Sequence, residues 1–299
     1  MAKIWMKLTA FILILLPLLS LADKQDVDNR QGIDRDVIWS IIPYAPIHIL
    51  EGSFKGQGIA DTYLKKAQKS LHHYHHINQI MTPARAWHQI AAGESTVCHP
   101  SALKTAEREQ YAYFSDPGLI TPVIRALMRR DIWEKYFQGR KTLNLREYLS
   151  MNRGPLGIVS HRSYGEVVDQ VLLQAMRGGK NIVQASGRYG SRQLYEMLTN
   201  SRIELMLEYP WVSSYFKKTL GIIKAEVVNL QISDFPRFSP AYVACTRNEK
   251  GLEIIKGINQ FLKQEIPTVN NRRRMTDWLD DEEAAVFEQD YFEFFKIAH

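Results

Sequence analysis

Arg108 sits in the run Leu103-Lys104-Thr105-Ala106-Glu107-Arg108-Glu109, flanked by two acids. A guanidinium offers parallel N–H bonds that match the two oxygens of a carboxylate, so Arg108 either grips an anion or pairs with Glu107 or Glu109 as a surface ion pair. Glu208 closes an expected strand over Ile203 to Leu207, just before Tyr209-Pro210. An acid at the mouth of a strand suits a cation, and the alternative is a solvated loop carboxylate. The loop Ser160-His161-Arg162-Ser163-Tyr164-Gly165 leads into a helix, so its backbone N–H groups and the Ser163 hydroxyl are placed to meet an anionic group, aided by the helix dipole. Cys98 and Cys245 are the only cysteines. In an oxidising compartment an even pair favours a disulfide, with two buried thiols as the alternative. The run His72-His73-Tyr74-His75-His76 places histidines four apart at an expected helix end, with no carboxylate or cysteine close in sequence to complete a metal site. It reads as a solvated helix end, and no metal is assigned. No Gly-x-Ser-x-Gly, His-Glu-x-x-His or phosphate loop occurs, so neither a nucleophile nor a cofactor is named.

The N-terminus bears on where this chemistry takes place. Lys3 and Lys7 precede an apolar run from Leu8 to Leu21, which ends in Ser20-Leu21-Ala22. Basic, then apolar, then small residues is the order of a cleavable secretory signal, with cleavage expected between Ala22 and Asp23 and a periplasmic mature protein. A membrane anchor would need roughly 20 apolar residues, and this run is shorter and carries Pro17. Position 23 is Asp and not Cys, so the new N-terminus has no lipid acceptor. Loss of Lys3 and Lys7 lowers the formal charge from +6 to +4. The basic residues are scattered except for Arg272-Arg273-Arg274, which an acidic stretch from Asp277 to Glu283 follows; this reads as a solvated helix and excludes a nucleic-acid partner. With 45% apolar residues the chain has enough core for two lobes or domains.

The elements that must hold these residues alternate between strand and helix. Asp36 to Ile42 is β-branched and apolar and is stopped by Pro43-Tyr44-Ala45-Pro46. Gly56-Gln57-Gly58 opens a helix over Ile59 to Leu71, and Pro83 and Gly93 bracket a second helix to Ala92. Thr96-Val97-Cys98 is the next strand. The pattern then restarts: strands at Leu156 to Ser160, Asn181 to Val183 and Ile203 to Leu207, with helices at Tyr164 to Met176 and Ser191 to Thr199. Ala241 to Cys245 is a further strand. It is followed by an amphipathic helix carrying Leu252, Ile255, Ile258, Phe261 and Leu262, and by a last helix near Met275 to Phe295. Such alternation predicts α/β units on mostly parallel sheets.

Five segments in this order, Gly56-Gln57-Gly58-Ile59-Ala60, Leu103 to Glu109, Tyr113-Phe114-Ser115-Asp116-Pro117, Gly157-Ile158-Val159 and Tyr242-Val243-Ala244, resemble the family 3 extracellular solute-binding proteins, the amino-acid-binding type. The resemblance implies an α/β, two-lobe class II periplasmic-binding-protein fold with a hinge of two chain crossings. Lobe one would comprise 36–127 plus 239–299, and lobe two 128–238. A ligand would be held in the cleft between them as the hinge closes, bringing Glu208 and Ser163 towards Arg108 and Tyr44.

By the same resemblance Arg108 takes a ligand's carboxylate, Glu208 an ammonium, and Tyr44 packs on the ligand, with Ser101 and Trp211 as further walls. The sequence departs from the family at two positions. Arg162 stands where amino-acid binders have glycine, and Leu103 where they have a hydroxyl residue, usually threonine. Both changes disfavour an α-amino acid, and a ligand with more negative charge, or one of different shape, would fit Arg162 better. The implied return strand, Tyr242 to Thr246, would lie beside Thr96 to His99 and set Cys98 against Cys245 as a disulfide. The expected function is capture of a small polar, carboxylate-bearing ligand by a monomer that serves an ABC-type permease or a membrane sensor. The alternative is a dehydratase-like enzyme on the same fold. Peptidoglycan lyases with this fold carry a further catalytic domain, for which the chain to His299 is expected to have no room.

Overall fold

The computed structural model describes residues 35–297 except 161, 188, 221–225 and 234. The expected signal, its cleavage site and nearly all of the following linker lie outside the described residues.

The chain first lays down β1 (Asp36–Ile41), α1 (Ile59–Ser70), β2 (His75–Ile80), α2 (Pro83–Ala92) and β3 (Val97–Ala102). β1 pairs in parallel with both β2 and β3, as βα units require. Val37 and Trp39 of β1, Tyr63, Leu64 and Ala67 of α1 and Cys98 of β3 are buried in one core cluster. A single 3₁₀ turn (Arg108–Gln110), β4 (Ala112–Phe114) and β5 (Leu119–Pro122) complete this part.

The second sheet is built from β6 (Arg125–Arg129), β7 (Thr142–Leu143), β8 (Leu156–Val159), β9 (Ile182–Ala185), β10 (Leu205–Glu208) and β11 (Val227–Ile232), in the order β7-β11-β6-β10-β8-β9. The helices α3 (Arg130–Tyr136), α4 (Leu145–Ser150), α5 (Glu166–Arg177), α6 (Gly190–Thr199) and α7 (Pro210–Leu220) connect its strands. β12 (Phe238–Thr246) then returns to the first sheet, where it inserts antiparallel between β3 and β4 and also pairs with β5. Three helices end the chain: α8 (Glu249–Glu265), α9 (Val269–Thr276) and α10 (Asp281–Phe295).

Two sheets in one α/β chain agree with the expected architecture, but the sheets are mixed and not mostly parallel. The antiparallel pairs come from β12 in one sheet and β6 in the other. Each flanks the passage from one sheet to the other and so runs against the neighbours it joins. The division expected after Leu127 falls inside β6, all five residues of which pair in the second sheet. The first crossing therefore lies at Val123-Ile124, and the second between Ile232 and Phe238. Phe238 pairs with Pro122, which sets the two crossings side by side. α10 lies over them: Glu283 takes a two-pronged bond from Arg125 at 3.0 and 3.1 Å, and Asp290 pairs with Arg237 at 2.6 Å.

The disulfide joins Cys98 to Cys245, directly opposed on β3 and β12 with Cα atoms 4.1 Å apart. The histidine run is not a helix end. α1 stops at Ser70, and His75 and His76 belong to β2, so His72 and His76 share no helix face. His76 accepts a hydrogen bond from Trp39 Nε1 (3.0 Å) and bonds the Leu71 carbonyl (3.1 Å), while His75 meets Asp36 at 2.8 Å. Among the described residues no three potential metal ligands come together. The expected last helix is two, α9 and α10, broken at 277–280, where Asp280 caps α10 by accepting from the Glu283 N–H (3.0 Å). Nor is Arg272-Arg273-Arg274 uniformly solvated: Arg272 and Arg274 are partly buried and stack on Phe292 and Tyr63.

Candidate functional site

The loop after β1 is held on the first turn of α1. The Ile59 and Ala60 N–H groups donate to the carbonyls of Pro46 (2.8 Å) and Ile47 (2.9 Å), and Asp61 accepts from the Ile49 and Gly58 N–H groups. Gly58 is required there, because a Cβ would lie 2.5 Å from the Ile47 carbonyl oxygen. Asp61 also meets His48 Nδ1 at 2.7 Å, so backbone and carboxylate together fix Tyr44 and His48.

A cavity of about 250 Å³ opens beside this loop. Tyr44, His48 and Tyr63 line one side, Trp87, His99, Ser101, Leu103 and Arg108 another, and Tyr209 and Trp211 reach it from the second sheet; Tyr242 and Arg274 close it. It is therefore built from the first sheet and its helices, from the segment after β10 with α7, and from α9. Tyr209 and Trp211 stack with ring centroids 4.3 Å apart, and the stack meets the edge of Tyr44.

Arg108 lies on the 3₁₀ turn, where its N–H donates to Thr105 Oγ1 (3.3 Å) and its Nη1 to the Leu103 carbonyl (2.8 Å). The guanidinium stacks on Trp87 at 4.0 Å. Glu109 pairs with Lys104 (2.7 Å) instead, and among the described residues no carboxylate forms an ion pair with Arg108. Burial lowers the Arg108 pKa, against the opposing pull of Tyr111 and Glu107. An anion at this place would offset that cost.

Glu208 is fully buried at the end of β10. Arg162 Nη1 donates to both of its oxygens at 2.8 Å, Tyr44 Oη donates to Oε1 at 2.7 Å, and the Tyr209 N–H donates to Oε1 at 3.0 Å. Arg162 Nη2 donates to Ser191 Oγ (2.9 Å), and its guanidinium lies 4.7 Å from the centre of the Tyr44 ring. Burial acts to lower the Arg162 pKa, but the charge and hydrogen bonds of Glu208 together with Tyr44 and Tyr164 outweigh it, and the net direction is upward. In this structure Glu208 thus meets a cation of its own chain, Arg162, and Arg162 is turned to that carboxylate.

Of the residues expected at the site, Tyr44, Ser101, Arg108 and Trp211 line the cavity, while Arg162 and Glu208 form the cluster beside it. Ser163 is not brought in. It is exposed, its hydroxyl donates to Asp169 Oδ2 on α5, and the Tyr164 N–H bonds the same carboxylate, so the loop serves to start its helix. Sequence reasoning missed Trp87, His48, His99 and Arg274, which come from four separate elements and share no motif. His99 is buried, and burial, with His48 and Arg108 nearby, pushes its pKa down to about 3. The ring is neutral at physiological pH. Its Nδ1 accepts from the Ser101 N–H (3.2 Å), which leaves the proton on Nε2.

No family model matches the chain, and no curated protein matches it in sequence. Solved structures do. The probable amino-acid ABC transporter extracellular-binding protein ytmK from Bacillus subtilis aligns at 15% identity and TM-score 0.57, covering 82% of this chain and 97% of its own. An ancestral cationic amino acid solute-binding protein aligns at 16% and 0.59, covering 85% and 99%. The VFT2 domain of Bordetella pertussis BvgS aligns at 16% and 0.54, covering 85% and 93%. At such identities the likeness is one of fold, and the two sheets joined by paired crossings give the chain the two-lobe class II periplasmic-binding-protein fold.

Proposed function

We propose that this protein is a periplasmic solute-binding protein that captures a small carboxylate-bearing molecule between its lobes and presents it to a membrane partner, either an ABC-type permease or a sensor. The observation that carries this reading is the cavity itself: the first sheet, the segment after β10 and α7 all contribute to it, its volume suits a small molecule, and Arg108 stands in its wall on an aromatic face with no carboxylate ion pair among the described residues. Two of the similar structures, an amino-acid ABC transporter's extracellular-binding protein and the VFT2 domain of BvgS, support binding and leave either partner open. The chain would bind its ligand and return it unchanged.

A thermal-shift screen of the mature protein against amino acids, mono- and dicarboxylates, polyamines and sugars tests the reading. A ligand at 100 times its dissociation constant adds about 2.7 kcal/mol of stability. Carboxylates should be the stabilising class. Stabilisation by polyamines or sugars alone, or chemical conversion of a hit, would contradict it.

A further inference from the structure

We infer that Arg162 is a built-in substitute for a ligand's ammonium group, so that the cavity takes small aromatic or branched apolar carboxylates that carry no amine. The inference rests on the solute-binding reading and names its ligand class.

The argument begins with what the cavity wall lacks. Among the described residues lining it there is no Asp or Glu, while Arg108 and Arg274 both belong to it. Arg274 spends its guanidinium on backbone carbonyls, those of Asn271 (3.2 Å), Ile59 (3.3 Å) and Gly118 (3.0 Å), and forms no ion pair with a carboxylate among the described residues. An ammonium entering this space would meet two cations and no anion, whereas a carboxylate would be attracted by both. Two acids lie behind the wall and both are engaged: Asp61 bonds His48 and the Ile49 and Gly58 N–H groups, and Glu208, with no exposed surface, already accepts four hydrogen bonds, two of them from Arg162. A ligand amine could bind Glu208 only by displacing Arg162, leaving a guanidinium partly buried without its partner.

The second observation is a set of unpartnered donors. Trp211 Nε1, with the residue 2% exposed, and Tyr63 Oη, at 3%, have no hydrogen-bond partner among the described residues, and both residues line the cavity. Buried polar groups are rarely left unpaired, and those that are often mark where a ligand or water supplies the missing partner. An indole N–H only donates and a phenol O–H donates readily. Together with Arg108, Arg274 and the Nε2–H of His99, these donors outnumber the one unpartnered imidazole nitrogen of the wall, His48 Nε2, and ask for acceptors. The rest of the wall is Tyr44, Trp87, Tyr209, Tyr242 and Leu103, which suit an apolar or aromatic body. The volume of about 250 Å³ lies below the roughly 300–1,000 Å³ of drug-sized pockets and limits that body to one ring system, single or fused, or a short branched chain.

The test pairs ligands that differ only in the amine: phenylalanine with 3-phenylpropionate, leucine with 4-methylpentanoate, and tryptophan with indole-3-propionate. Each is titrated calorimetrically into the mature wild-type protein. The amine-free member of at least one pair should bind tenfold or more tightly than its amino acid. Equal or tighter binding of the amino acids would overturn the inference and leave the solute-binding reading in place. No binding of either member of any pair at millimolar concentration, while sugars or polyamines bind, would overturn both. In Arg162→Gly, which frees Glu208, the preference should move at least tenfold towards the amino acid; an unchanged preference in a folded variant would also overturn it. The wild-type comparison stands even if that variant fails to fold.

Discussion

Arg162 and Arg108 are two guanidiniums at one cleft, and the molecule treats them in opposite ways. Arg162 faces a fully buried carboxylate, grips both its oxygens, and shares it with a tyrosine from the other lobe. Arg108 has an aromatic face behind it, one backbone carbonyl, and an open cavity in front. A satisfied buried pair contributes definition of structure, because breaking it strands a charge. An unsatisfied cation in a cavity wall keeps its electrostatic interaction for a ligand. The difference separates the part of the cleft that joins the lobes from the part that, on the proposed function, recognises the ligand, although both arginines stood as binding candidates in the sequence.

The largest expected effect falls on the satisfied side. Arg162→Ala leaves Glu208 buried with only Tyr44 and the Tyr209 N–H, and should destabilise the fold by about 3–5 kcal/mol in chemical denaturation. A loss under about 1 kcal/mol, the range of exposed pairs, would show that the cluster is not what holds the lobes there. Next comes the scaffold behind Arg108. Replacing Cys98 and Cys245 by alanine opens a bridge spanning 147 residues and should cost about 2–5 kcal/mol, while affinity for a carboxylate stays unchanged because neither cysteine lines the cavity. Equal stability with and without reductant would contradict this.

His99 gives the recognising side a pH signature. Its folded pKa, about 3, lies below the ordinary value of 6.5, so between these values the unfolded chain binds the extra proton. Stability is therefore full above about pH 6.5 and falls with decreasing pH, by up to about 1.4 kcal/mol per pH unit for this one group. His99→Gln should flatten that part of the stability profile, and an unaltered slope would mean that His99 takes up its proton as readily in the folded chain as in the unfolded one. The smallest effect is expected for Tyr44→Phe, which removes one of the four bonds to Glu208 and should cost about 0.5–1.5 kcal/mol.

Local signals in the sequence carried much of the fold. α2 begins at Pro83 and ends at Ala92 as its proline and glycine imply, with Thr82 accepting from the Arg85 N–H. The expected strands at Asp36, Leu156 and Ala241 became β1, β8 and β12 because β-branched runs between turn residues have few other uses. β6 was not read, since Arg125 and Arg129 interrupt its apolar pattern; both are buried, and the partners that permit it, Glu283 and Asp131, cannot be assigned from the pattern. The site divided in the same way. Arg108 was visible through a motif, but that Arg162 meets Glu208 depends on a contact over 46 residues and on a rotamer, neither of which leaves a trace in residue spacing. The cavity wall draws on α1, α2, β3, α7, β12 and α9, and only the folded chain assembles it.

The central claim is that Arg108, and not the Arg162 cluster, holds the anionic end of a ligand. Isothermal titration of the best carboxylate from the screen into wild-type protein and Arg108→Ala tests it most directly, with thermal denaturation run alongside. The account predicts binding weakened by about 2 kcal/mol or more, roughly thirtyfold, with the melting temperature of the free protein little changed. Equal affinity in a folded Arg108→Ala protein would contradict it.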